Sequence, residues 1–257
     1  MTEKPLISAV VPVRDEAGNI APLIAEIARA LAPIGAYEIV YVDDGSADGT
    51  LDALRRAAAA MPALTVLRHR QSCGQSAALA TGIRAARGEW IVTLDGDGQN
   101  DPADIADLLA ARDAALRGDG ANAAVMVCGR RAKRRDTAIR RVSSRVANAV
   151  RAAALGDRTA DTGCSLKLFR RADFLAMPWF DHMHRFLPAL MLRQGGRVVS
   201  VDVNHRPRLS GRSNYGLFDR LWVGIVDLVG MMWLMRRARL PAIERIAGLS
   251  SNDRERS

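Results

Sequence analysis

The segment Trp90-Ile91-Val92-Thr93-Leu94-Asp95-Gly96-Asp97-Gly98-Gln99 holds the residues best placed to do chemistry. An apolar, β-rich run ends in two aspartates one residue apart, with glycines between and after them. In an extended chain, residues i and i+2 point to the same side. Asp95 and Asp97 therefore aim at one point just past a strand end. Two hard carboxylates there suit a Mg²⁺ or Mn²⁺ ion that also holds phosphate oxygens. Gly96 and Gly98 let the backbone turn and let a bulky ligand come close. The same residues also suit a plain polar loop after a buried strand, so the rest of the chain has to decide.

The elements that would position these groups alternate through the first half. Strand-like runs fall at 7–13, 37–42, 64–69, 90–94 and 123–128, with helix-like stretches at 19–31, 48–60, 75–86 and 102–116. Ser46 and Asp48 can cap the second helix, and Asp101-Pro102 reads as an N-cap followed by proline. This alternation predicts an α/β fold, a mostly parallel sheet with helices on both faces. Ligands of such sheets bind at the carboxyl ends of the strands. The acids sit at those ends: Asp15 and Glu16, then Asp43 and Asp44, then Asp95 and Asp97. The second half is less regular. A basic helix is expected over 137–155, an apolar run at 166–169 and a strand at 197–203.

With 257 residues, 49% of them hydrophobic, the chain can bury a full core. Cys73, Cys128 and Cys164 are odd in number and lack C-x-x-C spacing, which argues against disulfides and zinc and fits a reducing cytosol. The N-terminus lacks the features of a signal peptide, and no uncharged apolar stretch reaches membrane-spanning length. Net charge is +9, and the excess is local. Nine basic residues between Arg130 and Arg151 face one acid, Asp136. Such a patch suits phosphate on nucleotide, nucleic acid or anionic lipid.

The apolar stretch 217–235 predicts an amphipathic helix. At ~100° per residue, Asp219, Arg220 and Asp227 share one arc, while Trp222, Ile225, Val226, Val229 and Trp233 lie opposite. Arg236, Arg237 and Arg239 follow. A helix lying in a membrane interface has this pattern. Docking on the chain's own core or on a second subunit, as a homo-oligomer, stays open. The expected organisation is one catalytic domain over 1–215, this helix over 216–240, and a flexible tail over 241–257.

Three segments carry a resemblance: Val10-Val11-Pro12-Val13-Arg14-Asp15-Glu16 with Asn19, Val42-Asp43-Asp44-Gly45-Ser46 with Asp48, and Leu94-Asp95-Gly96-Asp97-Gly98-Gln99 with Asp101-Pro102. In this order they are similar to the signature segments of the family 2 inverting nucleotide-sugar glycosyltransferases. Within that family the chain most resembles the dolichol-phosphate mannose synthase group. The resemblance covers roughly residues 5–215. It implies a Rossmann-like GT-A fold and transfer, with inversion, from a UDP- or GDP-sugar to a polyprenyl phosphate. It implies Mg²⁺ or Mn²⁺ on Asp95, Asp97 and Gln99, and nucleotide contacts from Pro12, Val13, Glu16, Asp43 and Asp44. It also implies phosphate contacts from Arg130 and from Arg208, in a closing loop with Gly211 and Ser213. Asn214 stands where a lysine often follows that serine, and the D-x-D spacer is glycine; His184, next to Arg185, suits either an acceptor-phosphate contact or a structural role.

The chemistry follows from charge. A divalent ion offsets charge on the leaving diphosphate, and Arg130 and Arg208 add charge-assisted contacts. A lipid phosphate is already anionic, whereas a sugar hydroxyl acceptor needs a general base. Asp161 is the best-placed candidate base, and a turn or cap role suits it equally. His69, His182 and His205 read as surface or packing residues, and the cysteines as core residues. A nucleic-acid partner is disfavoured, because the basic run holds no aromatic residue and the acidic strand ends would repel a nucleic-acid backbone. A nucleotidyltransferase would need a basic loop after the first strand, where only Arg14 stands. The serious alternative is a family 2 transferase with a soluble or glycan hydroxyl acceptor. The expected location is the cytoplasmic face of an anionic membrane surface, held peripherally.

Overall fold

The computed structural model describes residues 5–120, 123–131, 151–152, 154–156, 159, 161–207 and 217–239, without the side chains of 119 and 217–223. Seven strands form one sheet: β1 (Ile7–Val13), β2 (Tyr37–Asp43), β3 (Leu64–Arg68), β4 (Trp90–Thr93), β5 (Val125–Arg131), β6 (Lys167–Arg170) and β7 (Arg197–Val203). The helices are α1 (Ile20–Leu31), α2 (Thr50–Ala60), α3 (Gln75–Ala85), α4 (Ile105–Asp119), α5 (Arg171–Leu175), α6 (Leu187–Arg193) and α7 (Leu217–Arg236). The sheet order is β3-β2-β1-β4-β6-β5-β7. β1 to β4 are parallel, and β5 pairs parallel with β7. β6 is inserted antiparallel between β4 and β5. The expected basic helix falls almost wholly on 132–150, outside the described residues.

Both faces of the sheet are covered, and alternation along β1 assigns its side chains. Ile7, Ala9, Val11 and Val13 join Ile20, Ile27, Leu54 and Ile105 in one core layer. Val10 joins the opposite layer with Ile83, Phe174, Leu187, Leu190 and Met231. α3 packs closest, because Gly82 lets it approach β1: a Cβ there would meet Val10 Cγ1 at 2.5 Å. The capping of α2 differs from expectation. Gly49 is the N-cap. Asp48 Oδ1 accepts from Thr50 N at 2.9 Å and its Oδ2 accepts from Ala17 N at 3.2 Å, tying the first two strand-end loops together. Asp101 caps as expected, accepting from Ala103 N at 3.0 Å ahead of Pro102.

α7 docks along the second core layer. Met231 is buried, and Leu228, Met232, Leu234 and Met235 pack beside it. Arg193 Nε donates to Leu234 O at 3.1 Å, and His182 Nδ1 lies 3.1 Å from Asp227 Oδ2. The other face is bare: Ile225, Val226, Val229 and Trp233 are 46–61% exposed. Arg237 sits over the Trp233 ring at 5.8 Å. No described helix is long and apolar enough to cross a membrane.

Candidate active site at the carboxyl edge of the sheet

Asp95 and Asp97 follow β4 at the centre of the sheet, where β1 lies on one side and β6 on the other. Gly96 holds the turn by packing. A Cβ on Gly96 would lie 2.1 Å from Val13 Cγ1 and 3.1 Å from Pro12 O. Gly98 supplies the positive φ of 73° that turns the chain onward. The spacer glycine therefore lets the two aspartates sit directly on the end of β1. Asn100 Oδ1 accepts from Asp95 N at 3.1 Å, and Asp97 Oδ1 accepts from Gln99 N at 3.1 Å.

Asp95 Oδ1 accepts from Gln75 Nε2 at 2.8 Å, and its Oδ2 accepts from Ser165 Oγ. Burial pushes the Asp95 carboxyl up; the Ser165 hydrogen bond pulls it back, and the neighbouring Asp97 charge pushes it up again. Asp97 is 7% exposed. Two hard-oxygen donors, crowded and largely out of water, fit a divalent cation that neutralises both. Gln99 adds an amide oxygen in the same turn.

The segment after β7 laces this turn in place. Arg206 N donates to Gln99 O at 3.0 Å, and its guanidinium reaches Glu26 Oε2 at 2.7 Å and Asp101 Oδ1 at 2.5 Å. Asn204 Nδ2 donates to Asp104 Oδ1 at 2.8 Å. Arg208, Gly211 and Ser213 lie outside the described residues.

The first two strand ends form a hydrogen-bonded shelf. Pro12 lines the cleft beside Asp95, while Val13 is buried beneath Gly96. Glu16 Oε2 accepts from Asn19 Nδ2 at 2.5 Å, and Glu16 N donates to Thr50 Oγ1 at 2.8 Å. Asp43 is fully buried and accepts from Ser46 N at 3.0 Å, with Arg68 Nε 3.3 Å from its other oxygen. The Asp44 carboxylate takes bonds from His69 Nδ1, Ser72 Oγ, Cys73 N and Gly74 N, all at 2.7–2.9 Å. Burial alone would raise this carboxyl, but those hydrogen bonds outweigh it and hold the group below the usual carboxylate range. Asp44 thus organises the loop 69–74. His69, read from sequence as a packing or surface residue, is part of this network and also reaches Thr81 Oγ1 at 2.9 Å. Cys128 and Cys164 are buried as expected, but Cys73, on this loop, is exposed.

Strand alternation separates the two arginines that end β5. Arg130 is an exposed partner of Asp202, with Nε–Oδ1 at 2.6 Å and Nη2–Oδ2 at 3.0 Å. Arg131 points the other way and grips Asp161 through two bonds at 2.7 and 2.8 Å. Its charge reaches Asp95. Asp161, the candidate general base, is buried in that pair.

A cleft of about 390 Å³ opens beside Asp95. Its walls include Gln75, Thr93, Ser165, Lys167, His184 and Arg185. Sequence reasoning missed Gln75, Ser165 and Lys167. Their only advance signal was position, at the start of α3 for Gln75, just ahead of β6 for Ser165 and at the first residue of β6 for Lys167. His184 Nδ1 lies 2.7 Å from Ser76 Oγ. Burial, then the charges of Arg185, Lys167 and His182, bring the His184 imidazole down to about 3.

Residues 8–176 match the family described as glycosyl transferase family 2. The chain belongs to this family. It is 33% identical over 240 residues to a dodecaprenyl-phosphate galacturonate synthase from Rhizobium johnstonii, covering 91% of this chain and 69% of that protein. It is also 33% identical to an undecaprenyl-phosphate 4-deoxy-4-formamido-L-arabinose transferase from Aeromonas hydrophila, covering 90% of this chain and 69% of that one. A Pyrobaculum calidifontis mannosyltransferase solved with GDP-Man and Mn²⁺ superposes with a TM-score of 0.60 at 24% identity, covering 93% of this chain and 67% of that one. A Mycobacterium tuberculosis glucosyl-3-phosphoglycerate synthase solved with Mg²⁺ and UDP gives 0.63 at 18% identity, covering 93% and 81%. At these identities the structural matches establish the GT-A fold alone. This family 2 glycosyltransferase thus places its D-x-D turn at the fold's ligand-binding edge.

Two predictions follow from this geometry. Gly96→Ala drives a methyl into Val13 and displaces both aspartates, so transfer activity should fall by about 100-fold, the scale for a misplacement of ~1 Å. Val13→Ala on that background should restore part of it, because Val13 Cγ1 is the nearest obstacle. Steady-state rates of the two variants check this. The second concerns pH. His184 is neutral when folded but binds a proton near pH 6.5 when unfolded, so protons favour the unfolded chain and stability falls as pH drops below about 6.5. Urea midpoints from pH 7 to 5 should decline less in His184→Gln than in the parent. The difference should approach ~1.4 kcal/mol per pH unit at most.

Proposed function

We propose that this family 2 glycosyltransferase moves a glycosyl group from a nucleoside-diphosphate sugar to a polyprenyl phosphate, with inversion, at a membrane surface. The observation that carries the reading is the state of the candidate base. Asp161 is paired with Arg131, and Asp95 is the one carboxylate among the described residues lining the cleft. A hydroxyl acceptor needs a base to take its proton, while a phosphate acceptor arrives as its own anionic nucleophile. The two polyprenyl-phosphate sugar transferases that match most of this chain support the same acceptor.

Asp95, Asp97 and Gln99 are the residues that would hold Mg²⁺ or Mn²⁺. When bound, the ion supplies charge neutralisation for the departing nucleoside diphosphate. The protein's own groups do the rest. Gln75 and Ser165 fix the Asp95 carboxylate, and the charges of Lys167 and Arg131 pull against the burial that raises it. Pro12, Val13, Glu16, Asp43 and Asp44 build the shelf along which a nucleotide can lie, with Asp44 acting through the loop it shapes. Arg208 and Ser213, outside the described residues, are assigned to phosphate contact by the family's motif alone. Arg130, in its exposed pair with Asp202, is assigned no contact with the reacting groups.

The bare face of α7 supports the membrane surface as partner. Four large apolar side chains stand in solvent beside the basic group Arg236, Arg237 and Arg239. An anionic lipid surface satisfies both features at once. Three free thiols fit its cytoplasmic side.

The deciding assay is a panel of UDP- and GDP-sugars with polyprenyl phosphate and Mg²⁺ or Mn²⁺. Transfer to the lipid phosphate is expected, abolished by a chelator and by Asp97→Ala, and largely retained in Asp161→Asn if folding is preserved. Transfer to free sugar hydroxyls without lipid phosphate would establish the glycan-acceptor alternative instead. Sedimentation with anionic vesicles tests the surface. The parent should pellet, less so in high salt, and Val226→Glu with Trp233→Glu should release it. Breakage of a dimer by the same changes, with no vesicle binding by the parent, would make the face a subunit contact.

A further inference from the structure

His184-Arg185 is a motif the proposed reaction leaves unused. It sits on a single 3-10 turn, Met183–Arg185, between β6 and α6. Three features fix that turn. Met183 is buried as its anchor. His182 takes a left-handed conformation, φ 63°, and spans to Asp227 on α7. His184 is bonded twice to Ser76 at the start of α3: its backbone N donates to Ser76 Oγ at 3.2 Å, and its Nδ1 lies 2.7 Å from the same oxygen. With the imidazole neutral, the consistent arrangement has Ser76 Oγ accepting from the His184 backbone and donating to Nδ1. The next residue, Arg185, is then presented to the cleft from a rigid base.

What Arg185 meets there is informative. It lines the same cleft as Lys167 and Asp95. Lys167 is 3% exposed, and its Nζ donates to Thr162 O and Cys164 O, both neutral carbonyls. Arg185 has no ion pair among the described residues, although most other arginines that shape the site do. Arg131 is held by Asp161, Arg206 by Glu26 and Asp101, and Arg68 by Asp43. Lys167 lends its charge to Asp95, which leaves Arg185 as the cleft-lining guanidinium with no ion pair among the described residues. A buried or half-buried cation without a counter-charge is costly unless something anionic arrives. A guanidinium is the group best suited to take two oxygens of one oxyanion.

We propose that Arg185 binds an oxyanion of the bound substrates in the cleft beside Asp95. This rests on the proposed transfer to polyprenyl phosphate. Two groups in that reaction carry the chemistry: the acceptor's phosphate, and a carboxylate on the donated sugar if that sugar is a uronic acid. Ser76 and His184 make the position of Arg185 independent of the substrate, so little ordering is needed on binding.

The test is steady-state kinetics of Arg185→Ala, Arg185→Gln and Arg185→Lys with a short-chain, water-soluble polyprenyl phosphate, so that vesicle binding does not enter. Donors would be paired neutral and uronic UDP-sugars. Thermal melts confirm folding, and the glutamine variant serves if alanine does not fold. If the oxyanion is the acceptor phosphate, Arg185→Ala raises KM for the lipid phosphate about tenfold to hundredfold with every accepted donor, the scale for one lost charge-assisted contact. If it is the sugar carboxylate, kcat/KM falls by that factor for the uronic donor alone. Lysine should recover part of either loss, because charge remains without the fork. Parent-like KM and kcat in the folded alanine or glutamine variant, for both donors and the acceptor, would overturn the assignment while leaving the transfer reaction standing. Absence of transfer by the parent enzyme would instead remove the reading on which it rests.

Discussion

The desolvated carboxylate of Asp95 is the constraint around which the site is built. A charge taken out of water beside a second carboxylate raises the free energy of the fold unless other groups offset it. Gln75 from α3, Ser165 ahead of β6 and Asn100 from the same loop converge on this one residue. Arg131 and Lys167 add charge from β5 and β6. Each of these elements has to be in register for the carboxylate to be tolerated, so the acid and the sheet specify each other. The remaining repulsion between Asp95 and Asp97 is what a divalent ion would relieve. Strain at the strand edge and affinity for a metal are then one property.

The antiparallel β6 is the part of the architecture that serves this constraint and that sequence pattern does not reveal. Its neighbours alternate with helices and read plainly as a parallel sheet; 7–13 and 197–203 match β1 and β7 at both ends. β6 has only four residues and was visible only as an apolar run. Nothing in a period of two tells the direction of so short a strand or its place between β4 and β5. Yet that place brings Ser165 and Lys167 up against Asp95. A parallel strand there would deliver its chain from the opposite edge of the sheet.

Side-chain roles were legible where types and spacing were themselves the signal, as for Asp95, Gly96 and Asp97. They were illegible where the outcome hinged on which face of a strand a residue takes or which partner claims it. Arg130 and Arg131 are adjacent in sequence, and motif resemblance selects the first. Alternation at the end of β5 turns the second toward Asp161 and Asp95. Asp44 has the sequence of a ligand contact, but its carboxylate is consumed by four donors of the loop it shapes. The arc of α7 was readable at ~100° per residue, and Ile225, Val226, Val229 and Trp233 do share the bare face. Which surface covers that face is a property of a partner, and no helical period encodes it.

The links between α7 and the cleft give that bare face a chemical meaning. Asp227 holds His182, one turn of chain before Arg185, and Leu234 O holds Arg193 at the end of α6. The same loop that lines the cleft is therefore braced by the helix whose far side is apolar. A lipid phosphate entering from a membrane has its head group within the layer where such a helix would lie. A phosphate acceptor, anionic on arrival, depends on delivery and orientation more than on proton transfer. The loop that lines the cleft and the helix with the bare face are thereby braced as one unit, so a change at either is felt at the other.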